Sequence, residues 1–156
     1  MPDENVAIDL IDRAILGVLA HEGRIGWSEL GARVRLSPNA AADRVRRLVR
    51  CGLIRRFTAE VDQAKLGRTL VAVIDVRVDQ TDRFRTGAMH CDEITWMAHV
   101  TGRTDFQVHA SCAGTAGLNA LLTRFRDEFG AVETLTTVVL EEVRVHPGRP
   151  GAEVAR

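Results

Sequence analysis

The fold of the N-terminal half of this 156-residue chain is decided by the stretch Ser37-Pro38-Asn39-Ala40-Ala41-Ala42-Asp43-Arg44-Val45-Arg46-Arg47-Leu48-Val49-Arg50. A serine followed by a proline is a strong helix-start signal, because serine caps the first amides and proline fits the first helical turn. We predict a helix that runs to about Cys51, with Gly52 as a left-handed residue after its end. At about 100° per residue, its apolar side chains share one sector, namely Ala41, Ala42, Val45, Leu48 and Val49.

Two shorter helices are predicted upstream of this stretch. The first begins at about Ile8 and carries apolar residues at spacings of three or four, which gives it a core-facing side. The second covers about Trp27 to Val34, and a turn formed by Arg35 to Ser37 separates it from the third helix. Three helices in this order, with a short turn between the last two, are typical of the helix-turn-helix module.

Arginine is concentrated between Arg33 and Arg56, a segment with eight arginines and one acidic residue. A cationic helix face of this kind fits the major groove of DNA, where side chains near the helix N-terminus reach base edges. The candidates for base contacts are Asn39, Ala40, Asp43, Arg44 and Arg47. The candidates for phosphate contacts are Ser37, Arg46, Arg50, Arg55 and Arg56. The alternative is a solvated charged helix in which Asp43 pairs with Arg47.

From about Leu70 the apolar period changes to two, which predicts strands. Their order with two intervening helices is the ferredoxin-like βαββαβ arrangement. We expect the helices to cover the face that carries Ile94, Trp96, Ala98 and Val100 in the second strand and Leu135, Thr137, Val139 and Val143 in the last. The uncovered face would show Val71, Val73, Thr95, Met97, His99, Gln107 and His109. Because an exposed and partly apolar face tends to find a partner, we expect a homodimer or a larger assembly.

Composition indicates a globular α+β protein of the cytoplasm. Apolar residues make up 46% and charged residues 27% of the chain, and no apolar run approaches the length of about 20 residues that spans a bilayer. The acidic start of the chain lacks the order of a signal peptide. Three widely spaced cysteines, Cys51, Cys91 and Cys112, fit a reducing compartment better than a disulfide framework.

These patterns divide the chain into four parts. Residues 1–53 form the predicted DNA-binding domain, and residues 54–69 form a strand and linker. Residues 70–146 form the ferredoxin-like domain, and the Pro- and Gly-rich residues 147–156 form a mobile tail.

The chain resembles the leucine-responsive regulator/AsnC family, also called feast/famine regulators, over about Ile8 to Val145. The N-terminal resemblance is carried by Ile8-Asp9, Ile15-Leu16, Gly23-Arg24-Ile25, Leu36-Ser37-Pro38-Asn39, Arg44-Val45-Arg46-Arg47-Leu48 and Gly52-Leu53-Ile54. It continues in Leu66-Gly67, Val100-Thr101-Gly102, Asp105, Thr134 and Thr136. The resemblance implies a winged helix-turn-helix domain followed by a ferredoxin-like effector and dimerisation domain.

The resemblance also implies a ligand and an assembly. Dimers would join into tetramers or octamers, and an amino acid would bind where dimers meet. The matching positions here are Gly102, Arg103, Asp105, Thr134 and Thr136.

Two residues depart from the family pattern. Arg35 stands where the family has glycine, so that a left-handed backbone there would cost on the order of 1 kcal/mol. Gly31 stands where the family prefers alanine, which lowers helix propensity by roughly 1 kcal/mol.

Two other functions compete with DNA-binding regulation. Some sirohaem-type tetrapyrrole decarboxylases resemble the same family, and His99, His109 and Arg103 could serve such an enzyme. A pure oligomerisation or ligand-storage module is the third possibility. Because the sequence shows neither a nucleophile elbow nor a phosphate loop nor closely spaced metal ligands, we predict a regulator without enzymatic activity, cofactor or metal.

Overall fold

The computed structural model describes residues 7–142, which divide into two compact units at Glu60 and Val61. The first unit contains three helices, α1 (Leu10–His21), α2 (Trp27–Val34) and α3 (Pro38–Arg50). They surround a core formed by Ile15, Leu30, Val34, Ala41, Val45 and Leu48. The predicted three-helix arrangement is therefore confirmed.

The N-termini of α1 and α3 are fixed by side-chain caps. Asp9 caps α1 in a reciprocal capping box with Asp12, so the helix begins at Leu10, two residues later than its apolar pattern. The Ser37 hydroxyl accepts a hydrogen bond from the Ala40 amide at 3.2 Å, as the serine-proline signal predicts.

The turn between α2 and α3 contains both departures from the family pattern. Arg35 has φ 57° and ψ 43°, so the predicted left-handed conformation is confirmed. Gly31 has a role that helix propensity does not reveal. A Cβ atom at this position would lie 2.6 Å from the carbonyl oxygen of Leu36, because the turn passes directly against α2. Glycine is therefore the residue that permits this close approach.

The end of α3 matches the sequence prediction except at one residue. Gly52 adopts the left-handed conformation with φ 76°. Val49 was expected in the core but its side chain is 44% exposed, because it lies at the margin of the buried sector.

The strand predicted within residues 54–69 is not formed within the described chain. Residues 55–62 belong to no helix or strand of the described part of the chain. Because a strand exists only through its ladder of hydrogen bonds, this segment remains irregular up to a 3₁₀ turn at Ala64–Leu66.

The second unit has the predicted βαββαβ order. Its elements are β1 (Leu70–Val78), α4 (Thr81–Ala88), β2 (Ile94–His99), β3 (Phe106–Cys112), α5 (Gly114–Asp127) and β4 (Ala131–Val138). The strands form an antiparallel sheet in the order β2-β3-β1-β4. Both helices pack on one face, where Phe84, Leu121 and Phe125 contact the core side of the sheet.

An irregularity in β2 reverses the predicted orientation of that strand. Ile94 pairs with Ala110, but Trp96 rather than Thr95 pairs with His109, so one extra residue lies in β2. Met97 therefore packs on the core, whereas the Trp96 side chain is 47% exposed and contacts His109. The prediction that Trp96 faces the helices and Met97 the open side is wrong.

The last strand is also oriented opposite to the prediction. Thr134 pairs with Val76 and Thr136 pairs with Ile74, so these two threonines share the helix-covered face. Leu135 pairs with Asp75, and its side chain is 65% exposed. The physical reason is that β4 is an edge strand, where the helices cover the sheet incompletely and threonine is tolerated on the inner side. Val143 and the predicted tail, residues 147–156, lie outside the described residues.

Within residues 7–142, no helix combines the length and the apolar character that crossing a bilayer would require.

Candidate nucleic-acid interface

One side of α3 presents a row of exposed polar side chains, which we call the α3 stripe. It consists of Asn39, Asp43, Arg46 and Arg50, which are spaced by three or four residues and therefore lie above one another. Asp43 and Arg46 form an ion pair at 2.6 Å, so the pairing of Asp43 with Arg47 that belongs to the alternative of a solvated helix is not formed. Within residues 7–142, Arg50 makes no ion pair.

Arg44 and Arg47 do not extend freely into solvent as predicted, but contact carboxylates of α1. Nη1 of Arg44 lies 2.6 Å from Oδ2 of Asp9 and 2.9 Å from Oδ1 of Asp12. Nη2 of Arg47 donates to Oδ2 of Asp12. The long arginine side chains bend towards α1, a direction that a helical projection of α3 alone cannot show. We call these four residues the α1–α3 charge network.

Asp12 is the buried centre of this network, with a side chain that is fully inaccessible to solvent. Burial acts to raise its pKa, but hydrogen bonds from Arg47, from the Asp9 amide and from Arg44 outweigh burial and lower the pKa to about 2. Hydrogen bonds from the Asp12 amide and from Arg44 lower the pKa of Asp9, and the hydrogen bonds that Arg44 donates to the Asp9 and Asp12 carboxylates raise the pKa of Arg44. Asp12 is therefore ionised and fully paired at neutral pH.

The outer edges of both guanidinium groups remain available. The side chains of Arg44 and Arg47 are 30% and 38% exposed. Each guanidinium carries five N–H donors, and the hydrogen bonds found within residues 7–142 use only Nη1 of Arg44 and Nη2 of Arg47. Beside them lies an open cleft of about 490 Å³, lined by Ala7, Asp9, Asp43, Arg44, Arg47 and Arg50.

The remaining predicted contact residues of the first unit are exposed, except for Ala40, which is half-buried. Ser37 caps α3 at the end where the α3 stripe begins, and Asn39 and Ala40 lie in the first turn. Arg55 and Arg56 follow α3 in the irregular segment, and both are exposed. The unit thus places a polar helix face and several cations on its surface, as an interface with a polyanion requires.

In the second unit, the predicted effector residues lie partly in a loop at one end of the sheet and partly in the edge strand β4. Gly102 and Arg103 are exposed in the loop between β2 and β3. Asp105 holds this loop in place, because its Oδ2 accepts a hydrogen bond from the Val78 amide at 2.8 Å. Thr134 also lies at this end, but β1 runs between it and Asp105. Thr134 and Thr136 are the fourth and sixth residues of β4.

Two family models match the chain, and they span both units. An AsnC-type helix-turn-helix domain matches residues 8–49, and an Lrp/AsnC ligand binding domain matches residues 71–148. The chain belongs to the Lrp/AsnC family of transcription regulators.

The curated relatives that match this Lrp/AsnC protein are named as regulators, and the match covers most of each of them. The leucine-responsive regulatory protein of Escherichia coli is 34% identical over 144 residues, which cover 88% of this chain and 87% of that protein. LrpC of Bacillus subtilis is 26% identical over 144 residues, and its solved structure matches with a TM-score of 0.83 over 88% of this chain and 98% of that one. The family's DNA-binding regulatory function is thus that of this chain, and the decarboxylase alternative finds no support among these proteins.

Solved structures of Lrp/AsnC relatives include complexes with an amino acid. A transcriptional regulator of Neisseria meningitidis, solved with L-methionine, matches with a TM-score of 0.84 at 26% identity, over 92% of this chain and 97% of that one. The feast or famine regulatory protein of Mycobacterium tuberculosis, complexed with L-methionine, matches with a TM-score of 0.83 at 28% identity, over 90% and 97% of the two chains.

The histidines considered for the enzyme alternative lie on different faces of the sheet. His99 stacks on the buried ring of Phe106, and His109 contacts Trp96 on the open face. The reversed orientation of β2 separates them, so the prediction that they share a face is wrong. In the described part of the chain, no group of three or more His, Cys, Asp or Glu side chains is placed to hold a metal ion.

Sequence reasoning missed Asp9 and Asp12, although two signals were available. The Asp-x-x-Asp spacing before an apolar run is a variant of the capping box. Asp12 also borders the apolar residues of α1, because Ile15 and Leu16 follow it at spacings of three and four. A carboxylate at such a position needs a cationic partner, and α3 supplies two arginines.

Proposed function

We propose that this Lrp/AsnC regulator inserts α3 into the major groove of operator DNA. The observation that carries this proposal is the α3 stripe, an uninterrupted polar row on the side of the helix opposite the buried core. A major groove admits one α-helix, and residues in its first turns reach base edges.

The exposure of the side chains supports two kinds of contact, one with bases and one with phosphates. Asn39, Ala40 and Asp43 would face bases in the first turns of α3, joined by the outer edges of Arg44 and Arg47. Ser37, Arg46, Arg50, Arg55 and Arg56 would contact phosphates and set the register. Arg46 would exchange its ion pair with Asp43 for a phosphate, because an exposed pair of this kind contributes little stability.

The test compares two substitutions on the α3 stripe. The DNA probe is a duplex selected from a random pool by the wild-type protein, with a scrambled duplex as reference. Asn39→Ala should lower affinity for the selected duplex about ten-fold and leave the scrambled duplex unchanged, because a base contact is lost. Arg50→Ala should weaken both duplexes and reduce the salt dependence of binding by about one phosphate contact.

The control removes a matched charge from the other unit. Arg126 is an exposed arginine of α5, and Arg126→Ala should leave both affinities within about two-fold of wild type. Fluorescence anisotropy at several salt concentrations measures all four proteins. Wild-type binding by both Asn39→Ala and Arg50→Ala would rule out α3 as the groove-binding element.

We further propose that an amino acid binds at the loop containing Gly102, Arg103 and Asp105, together with Thr134 and Thr136, at a junction between dimers in the cytoplasm. The ligand-binding domain match and the L-methionine complexes of two relatives support this assignment. The exposed Arg103 is suited to a carboxylate, and the free amides of a tight loop add further donors. Asp105 would contribute its second carboxylate oxygen, since the first one holds Val78.

The effector site is tested by thermal unfolding in the presence of each standard amino acid. A ligand that binds only the folded protein raises the midpoint by mass action, by about 2.7 kcal/mol of stability at a hundred times its Kd. Arg103→Ala should abolish the shift, whereas Arg83→Ala, a change at an exposed arginine of α4, should preserve it. An unchanged shift in Arg103→Ala would place the ligand elsewhere.

A further inference from the structure

We propose that Asp9 and Asp12 of α1 position the guanidinium groups of Arg44 and Arg47 for contact with DNA and thereby set sequence discrimination. This inference rests on the proposed groove-binding role of α3. The two acids touch no DNA themselves in this proposal. They are positioning residues that act through the arginines.

In the α1–α3 charge network, two carboxylates hold the two guanidinium groups in fixed positions. Nη1 of Arg44 bridges both carboxylates, at 2.6 Å from Asp9 and 2.9 Å from Asp12. Asp12 in turn divides its two oxygens between the two arginines. Both carboxylates are themselves locked, because the capping box at the start of α1 engages each with the amide of the other. Neither acid can rotate without breaking a helix cap.

Holding an arginine side chain in place before binding lowers the entropy that it loses when it contacts DNA. A free arginine loses side-chain rotamer entropy when it is immobilised. In the unbound protein the contacts with Asp9 and Asp12 already restrict this freedom and fix the planes of the two guanidinium groups, while the Arg44 and Arg47 side chains stay 30% and 38% exposed. A fixed plane favours the bidentate contacts that distinguish one base from another.

The placement of negative charge argues against a role in affinity alone. Asp9 is half exposed beside the cleft that Arg44, Arg47 and Arg50 line, so its charge opposes the approach of phosphates. An interface selected only for affinity for a polyanion would lack this acid. Electrostatic elements that reduce affinity for wrong partners are a general means of specificity.

The experiment measures the ratio of Kd values for the scrambled and the selected duplex. Asp9→Asn is the first variant, because asparagine caps a helix as well as aspartate and the fold is preserved. Its ratio should fall about ten-fold, with unchanged or tighter binding of the scrambled duplex. Asp12→Asn should act in the same way. The control is Glu29→Gln, which removes an exposed acid that pairs with Arg33 on α2, and it should leave the ratio unchanged.

A double-mutant cycle separates positioning from a merely structural role. If Asp12 acts through Arg47, the double variant Asp12→Asn/Arg47→Ala should discriminate no worse than Arg47→Ala alone. A structural role would lower the thermal midpoint and leave the ratio intact in the protein that remains folded. If Asp12→Asn fails to fold, Asp9→Asn and its cycle with Arg44→Ala decide the question.

Failure of this inference is distinguishable from failure of the proposed function. A wild-type ratio in folded Asp9→Asn and Asp12→Asn, combined with a reduced ratio in Arg44→Ala or Arg47→Ala, overturns the positioning role alone. Wild-type binding by both arginine variants also overturns it, since the acids then have nothing to position. The α3 stripe is judged separately, through Asn39→Ala and Arg50→Ala.

Discussion

At the residue scale, Asp12 shows how a charged side chain can be fully buried in a folded protein. An isolated buried carboxylate would be prohibitively costly, but two arginines and a backbone amide compensate it here. The sequence predicted the arginines as a cationic face, and their positions on α3 are as expected. Their partners could not be predicted from α3 alone, because Asp12 is more than 30 residues away along the chain and the contact exists only after the helices pack.

The lowered pKa of Asp12 predicts a loss of stability in acid. Because the folded pKa is about 2 and the ordinary value is 3.8, the ionised side chain stabilises the fold at any pH above about 4. This contribution, about 2 kcal/mol, is lost as the pH falls from about 4 through 2. Urea unfolding at several pH values, followed by fluorescence, measures it. Trp96→Phe leaves Trp27, on α2, as the reporter of the first unit.

The matching control for this prediction is Asp12→Asn in the same background. This variant should be less stable at neutral pH, and its stability should change much less over the same acidic interval. An equally steep acid dependence in Asp12→Asn would show that other carboxylates dominate the transition.

At the element scale, the sequence predicted what is local and missed what depends on pairing. The bounds of α2 agree with the prediction, because apolar period, caps and turn residues are properties of the segment itself. The extra residue in β2 and the orientation of β4 are set by hydrogen bonds to β3 and β1. A one-residue change in register moves every following side chain to the other face, so alternation alone assigned Trp96 and Met97 to the wrong sides.

Two glycines in helices of the first unit should respond in opposite directions to alanine. Gly17→Ala should raise stability by about 0.5–1 kcal/mol through helix propensity, because its added Cβ meets nothing within 4 Å. Gly31→Ala gains the same propensity but places Cβ 2.6 Å from the Leu36 carbonyl oxygen, a backbone atom of the turn. We expect a net loss of about 1–3 kcal/mol and weaker DNA binding, because the turn orients α3.

Urea midpoints of both variants check this prediction, again with Trp27 as the reporter. A stabilised Gly31→Ala protein would mean that the turn moves away from α2 at little cost. The family preference for alanine at this position coincides with glycine in place of Arg35, so the variant Gly31→Ala/Arg35→Gly tests whether the two departures compensate each other.

At the scale of the whole molecule, the two units perform separable tasks within one regulator. The first unit carries the α3 stripe, and the second unit carries a sheet with one face covered by helices. The other face shows Trp96, His109, Leu135 and the partly buried Val73, which is too apolar a surface to remain in water. The sequence predicted such a face and a homodimer across it, although it assigned the β2 and β4 residues to the wrong side.

Assembly through this face predicts that a substitution far from α3 in the sequence weakens DNA binding. Leu135→Glu places a charge on the open face, where burial against a second copy would leave it unpaired. Light scattering should then give the mass of a single chain, 17.2 kDa. Because symmetric regulators bind two half-sites at once, loss of the second contact should lower affinity for the selected duplex at least about 100-fold.

Met89→Glu adds the same charge at an exposed apolar residue after α4 and should change neither mass nor affinity. An oligomeric Leu135→Glu protein with wild-type affinity would show that copies of this chain associate through a different surface.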